Sequence, residues 1–211
     1  MGFSLVELLV SITVGLVIMA GVTNIYVNTI RSNSDTLKMT RLNQELRSVM
    51  AFMTRDIRRA GYWGKAKDSV TGPASSNSNP FTLSAPSEFA GQLSNSCLMY
   101  TYDYNQNGTL DNDNDERHGF RLKANAVQVV TSNSSATCNT GTWENITDDD
   151  GIQITNLTFT AVDTSVGITT PSVLTVRNIT IKLTGQLTTD TTVQRTLSDT
   201  VRIANDVYSS N

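Results

Sequence analysis

Hydrophobic and polar positions divide the chain into three unlike stretches. Residues 8–30 are 23 consecutive positions without a charge, and residues 3–5 extend the apolar run on the far side of a single carboxylate, Glu7. At ~1.5 Å per residue the run makes about 35 Å of helix, enough to cross a hydrocarbon core of ~30 Å. A cleaved secretory signal has a core of only ~7 to 15 apolar residues and a small-residue cleavage site behind it. Here the run passes instead into a second helical pattern through Asn24, Tyr26 and Asn28, so a membrane anchor is expected. After Arg31 the apolar residues fall at Leu42, Leu46, Val49, Met50, Met53, Ile57 and Ala60, the spacing of an amphipathic helix. Gly61 is the expected C-cap. The pattern predicts one helix from about Phe3 to Ala60.

The remainder alternates at a period of two. Residues 68–95 are rich in Ser, Asn, Pro and Gly and predict a loop with one short strand over 81–83. Strand-like runs follow at 97–102, 119–122 and 126–130, then three longer ones at 152–162, 173–183 and 193–204. Short connections between successive strands predict an antiparallel meander. A helix leading into such a sheet is α+β. The expected organisation is a membrane-spanning helix over 3–30, its amphipathic continuation over 31–63, and a β-rich head over 64–211.

Charge sharpens this division. Residues 31–67 carry nine Lys/Arg against three Asp/Glu, whereas residues 68–211 carry seven against fifteen. So acidic a head does not suit direct nucleic-acid binding, which needs clustered basic residues. Counting basic residues alone would leave residues 31–67 in the cytoplasm. The two cysteines, Cys97 and Cys138, point the other way: an even pair in an anchored chain suits an oxidising compartment. Bonded, they would close a loop of about 40 residues and contribute ~4 kcal/mol; two buried free thiols is the alternative.

A carboxylate inside an apolar helix costs a few kcal/mol in lipid and usually marks a function or an internal partner. Glu7 also lies close enough to the helix start to reach headgroups, where the positive end of the helix dipole favours it. Its neighbours decide between these: Gly2-Phe3-Ser4-Leu5-Val6-Glu7-Leu8-Leu9-Val10 strongly resembles the cleavage and methylation signature of type IV prepilins and pseudopilins. The resemblance implies that a membrane peptidase cuts after Gly2, that Phe3 becomes an N-methylated terminus, and that Glu7 is the fifth mature residue. The family's Lys/Arg before the glycine are missing, so Met1 and Gly2 are expected to be the residue of a trimmed leader. Glu7 then has a physical task. The α-amino group of an incoming subunit is a cation in an apolar bundle, and a neighbour's Glu7 neutralises it, selecting axial register.

Thr54-Arg55-Asp56-Ile57-Arg58-Arg59-Ala60-Gly61-Tyr62 resembles the helix end of minor pilins of the PilW type and, more loosely, of J-type pseudopilins of type II secretion. Such proteins act in the inner membrane with a periplasmic head, then in the pilus. Their expected partners are other minor pilins, the major pilin and prepilin peptidase.

One stretch of the head suggests a metal. Asp103-Tyr104-Asn105-Gln106-Asn107-Gly108-Thr109-Leu110-Asp111 places side-chain oxygens at loop positions 1, 3, 5 and 9, glycine at 6, a backbone carbonyl at Thr109 and an apolar residue at 8. This is the calcium-loop pattern of alternating oxygens around a tight turn. Position 12 departs from it, being Asn114, so Asp113, Asp115 or Glu116 would supply the missing oxygens. The flanks are strand-like, unlike those of an EF-hand. An Asp/Asn-Gly hairpin is the plain alternative, but four acids within six residues repel one another unless a cation neutralises them. The cluster Asp148-Asp149-Asp150-Gly151 lacks the alternation and predicts a turn.

Catalysis has little support. His118 is the single histidine, beside Gly119 and Phe120, and reads as a strand-edge residue. No Walker A, CxxC or HExxH occurs. The expectation is a structural protein: a minor pilin priming, or capping the tip of, a type IV pilus, whose outputs in that family are motility, adhesion and DNA uptake. A type II secretion pseudopilin shares the same physics. A membrane-anchored calcium-dependent adhesin is the competing class.

Overall fold

The computed structural model describes residues 4–67, 79–111, 116–132, 136–148, 150–169 and 172–210. The processing positions Gly2 and Phe3 and the acids Asp113 and Asp115 lie outside the described residues. One helix, α1 (Leu5–Ile57), is followed by eight strands. The chain divides into two units, the first ending at Arg41 and the second beginning at Leu42.

In the first unit α1 is long and apolar enough to cross a membrane. Its apolar residues are exposed on all sides, with Leu5 at 81% and Val17 at 73%. A helix apolar all round is one that lipid or other helices must cover.

In the second unit α1 carries the predicted stripe: Leu42, Leu46, Val49, Met50, Met53 and Ile57 are buried. These side chains join the inner faces of two sheets in one core. The first sheet runs β1 (Cys97–Thr101), β2 (Arg117–Lys123), β3 (Ala126–Ser132) and β4 (Thr142–Asn145), in that order and antiparallel. Two residues, Ala124 and Asn125, turn β2 into β3 with φ of 50° and 62°, as a type I′ hairpin requires. The second sheet contains β5 (Ile152–Thr169), β6 (Ser172–Leu187), β7 (Gln194–Arg202) and β8 (Val207–Ser210). β6 is its centre, pairing β5 along nearly its whole length.

The predicted runs at 97–102, 119–122 and 126–130 become β1, β2 and β3, and the three longer runs become β5, β6 and β7. The run over 81–83 is reduced to an isolated bridge between Leu83 and Tyr100. Two differences stand out. The strands form two sheets rather than one meander, because the chain turns out of the first sheet between β4 and β5. The final strand is interrupted: β7 pairs Asn178 to Gln186 of β6, β8 pairs Ser172 to Thr175, and residues 203–206 bend between them.

Two glycines set how closely the layers approach. A Cβ on Gly185 of β6 would stand 2.9 Å from Leu46 Cδ2 and 3.3 Å from Ile154 Cδ1, so the helix packs against bare backbone there. Gly61 has φ +71°, the left-handed conformation of a helix C-cap.

Candidate functional site

Beyond Ile57 the helix runs out in tight turns over 58–61, and distant segments meet the carbonyls that these turns present. The N–H of Ala204 donates to Arg58 O at 3.0 Å. The Asn205 side-chain amide donates to Ala60 O at 3.1 Å and to Arg59 O at 3.3 Å. The interruption between β7 and β8 therefore serves as the helix cap. Gly61 N–H donates to Thr101 O at 2.8 Å, tying the same end to β1.

Immediately beyond the cap, residues 62–64 hold the acidic loop. The N–H of Asp103 donates to Tyr62 O at 2.9 Å. Asp103 Oδ2 accepts from Gly64 N–H and from Gly108 N–H, both at 2.9 Å, and the Trp63 indole N–H donates to Gly108 O at 2.9 Å. A Cβ on Gly64 would come within 3.1 Å of Asp103 Oδ2. The helix-end signature and the loop thus form one structural unit, a link that sequence reasoning missed. Trp63-Gly64, directly after the cap, was the available signal.

Within the loop the predicted residues do converge, though not around a common centre. Asn107 N–H donates to Asn105 Oδ1 at 3.0 Å, and Thr109 donates to Asn107 Oδ1 through its N–H at 2.8 Å and its hydroxyl at 2.9 Å. The amides of Asn105 and Asn107 both donate to Asp111 Oδ2. These amides, Asn105 first, hold the Asp111 carboxyl below its ordinary pKa. Gln106 at φ 61° and Gly108 at φ 77° make the tight turn. Tyr102 N–H donates to Glu116 O at 3.1 Å and closes the loop's neck.

Of the described acids after position 110 of this loop, Glu116 is the buried one and Asp111 is half-buried. Glu116 is 1% exposed, as is Asp103. Its Oε2 accepts from Asp111 N–H at 2.7 Å. Burial pushes its pKa above the usual carboxylate range, and the nearby Asp111 and Asp103 charges add to this, while the N–H groups of Asp111 and Tyr104 oppose it. Asp103 Oδ1 and Glu116 Oε1 are buried and accept no hydrogen bond among the described residues. Among those residues no three Asp, Glu, His or Cys side chains stand close enough to hold a metal.

A stack flanks the loop. The Arg59 guanidinium lies 4.0 Å from the centroid of the Tyr102 ring, and His118 stacks on that ring at 4.0 Å and 3°. Two groups cannot share one ring face at that distance, so Tyr102 is sandwiched. His118 is held between aromatic neighbours in β2 rather than standing at an edge. Beside the loop an open cleft of about 350 Å³ is lined by Arg58, Arg59, Tyr62, Tyr104, Gln106 and Asn205 among others.

The cysteines meet as the Cys97–Cys138 disulfide. Arg121 braces it from β2: its guanidinium donates to Cys138 O at 2.7 Å and to Gln128 Oε1 at 2.9 Å. The same group lies 4.2 Å from the Trp143 ring centroid and 4.7 Å from that of Phe89. Glu7, the predicted assembly residue, sits in the first turn of α1 on the exposed apolar unit, far along the sequence from all of these.

Residues 35–203 match the family model described as prepilin peptidase-dependent protein B. No curated protein and no solved structure gives a significant match.

Proposed function

The chain belongs to the prepilin peptidase-dependent protein B family, and from that premise we propose that it is a minor pilin of the PilW type, acting in the priming, assembly or tip of a type IV pilus. The observation that carries this is the placement of Glu7. It is the single charge on residues 4–30, a helical surface otherwise exposed and apolar, and it falls five residues into the chain left by cleavage between Gly2 and Phe3.

Two opposite charges in a low-dielectric bundle attract strongly when paired, and each is costly alone. A subunit whose terminal amine meets Glu7 of its neighbour is therefore favoured over one displaced along the axis. The apolar unit anchors the protein in the inner membrane before assembly, the second unit faces the periplasm, and the protein then passes into the fibre. Other minor pilins and the major pilin are the partners this requires. The oxidised Cys97–Cys138 pair fits a head outside the cytoplasm.

Mass spectrometry of the natural protein tests the processing, with an N-methylated Phe3 terminus as the expected result. An intact chain, or one cut elsewhere, removes the filament reading and leaves an anchored adhesin. Glu7→Gln tests the register: incorporation into sheared fibres should fall at least tenfold while membrane levels hold. Unchanged incorporation overturns the role given to Glu7. A pseudopilin of type II secretion would show the same processing, and abolished secretion with intact pili in a deletion strain identifies that machine.

A further inference from the structure

We propose that the loop from Asp103 to Asp111, together with Glu116, is a calcium site whose deep ligands are Asp103 and Glu116. Two observations meet here. The chain follows the alternating-oxygen pattern over nine positions, with the required turn at Gly108. Independently, two carboxylates at the base of that loop are each 99% buried, and each keeps one oxygen without a hydrogen-bond partner among the described residues. A buried polar atom left unpartnered costs free energy. Buried carboxylates normally have donors or a cation.

Their placement distinguishes a ligand pair from an ordinary turn. Asp103 uses one oxygen to hold the loop open, through Gly64 and Gly108, and leaves the other free. Glu116 does the same, holding Asp111 N–H with one oxygen. In each case the N–H groups on one oxygen fix the orientation of the other, as supporting hydrogen bonds do for a metal ligand. The set is all oxygen and irregular, which suits calcium; magnesium demands near-ideal octahedral geometry and gives up its waters reluctantly. Side-chain amides, peptide carbonyls and water also serve calcium, so the site does not need three converging carboxylates. Asp111, at the ninth loop position and held by the amides of Asn105 and Asn107, would supply a further carboxylate oxygen. The acid that completes the site among the described residues is Glu116, two positions later than the loop pattern demands: it is buried, as Asp103 is, and Asp111 is only half-buried.

The test uses the purified full-length chain in detergent micelles and does not depend on any pilus. Terbium is the first probe. Trp63 donates to the loop at Gly108 O and Tyr104 lies within the loop, so bound terbium should give sensitised emission that calcium quenches and equimolar magnesium does not. Calcium at about ten times its dissociation constant should raise the melting temperature by ~3 to 6 °C over chelator. Glu116→Gln, which keeps the shape of the side chain, should weaken calcium at least tenfold while melting in chelator no lower than the wild type. Asp103→Asn should do the same. Because Asp103 also holds the turn, a loss of folding in that variant leaves the decision to Glu116→Gln and the wild-type titration. A wild type that melts identically in calcium and chelator and gives no calcium-sensitive terbium emission overturns the proposal, as does a Glu116→Gln protein with undiminished calcium affinity.

Discussion

The Tyr100 hydroxyl on β1 donates a hydrogen bond to the Asp56 carboxylate in the last turn of α1. The bond joins the helix to the first sheet at a point where Tyr100 is buried. Burial raises the Tyr100 pKa well above its ordinary value, and the Asp56 charge and the hydrogen bond to it push the same way. A raised pKa in the folded state means that the native protein holds this proton more tightly than the unfolded chain does. The resulting stability is complete below the unfolded value of about 10 and is lost as pH rises through the folded one. Wild-type stability should therefore fall as pH rises above about 10, and Tyr100→Phe should show a shallower decline. At neutral pH that variant should be less stable by ~1 to 3 kcal/mol, because Asp56 loses its donor. Urea unfolding across this pH range measures both.

Close approach of helix and sheet at Gly185 gives a second expectation. Gly185→Val would push branched carbons into Leu46 and Ile154, and overpacking of this kind costs ~1 to 3 kcal/mol. Leu46→Ala alone should cost ~2 to 5 kcal/mol through the cavity it leaves. The two changes together should cost clearly less than their sum, since the added carbons enter the space vacated. A double-mutant cycle by chemical denaturation checks it, and strict additivity would show that the two side chains do not compete for one volume.

Arg121 offers a third. Its guanidinium combines two hydrogen bonds with two aromatic faces, a combination that an ammonium group cannot reproduce. Arg121→Lys should lose ~1 to 3 kcal/mol by thermal or urea unfolding despite conserving the charge. Reducing the Cys97–Cys138 bond should cost ~2 to 5 kcal/mol. The two losses should add to less than their separate values, because Arg121 holds the backbone at Cys138.

What the sequence made legible follows from how locally each feature is encoded. The apolar run at 8–30 and the stripe from Leu42 to Ala60 depend only on composition and spacing, and both appear in α1. β4 (Thr142–Asn145) went unpredicted because Thr-Trp-Glu-Asn is too short to show alternation and pairs only with β3. β8 is equally short and takes its place from β6, some 35 residues earlier. The division into two sheets is likewise a matter of which strands meet, and alternation along one strand carries no such information. At the acidic loop the order of oxygens could be read directly. That Glu116 is buried could not, since carboxylates so close along the chain look alike until the neck at Tyr102 and Glu116 closes.

The cap that Asn205 places on α1 joins residues 145 positions apart. Contacts between such remote parts of a chain form late and slow the whole reaction. At a synthesis rate of ~5 to 20 residues per second, Ala60 waits on the order of ten seconds for Asn205 even to exist. Until Ala204 and Asn205 have been made, the carbonyls of Arg58 and Ala60 therefore lack the partners they have in the finished fold, and the seam between the helix end and the last strands closes only in a chain that carries both. A chain cut short before Asn205 would keep the whole of α1 and leave that seam open.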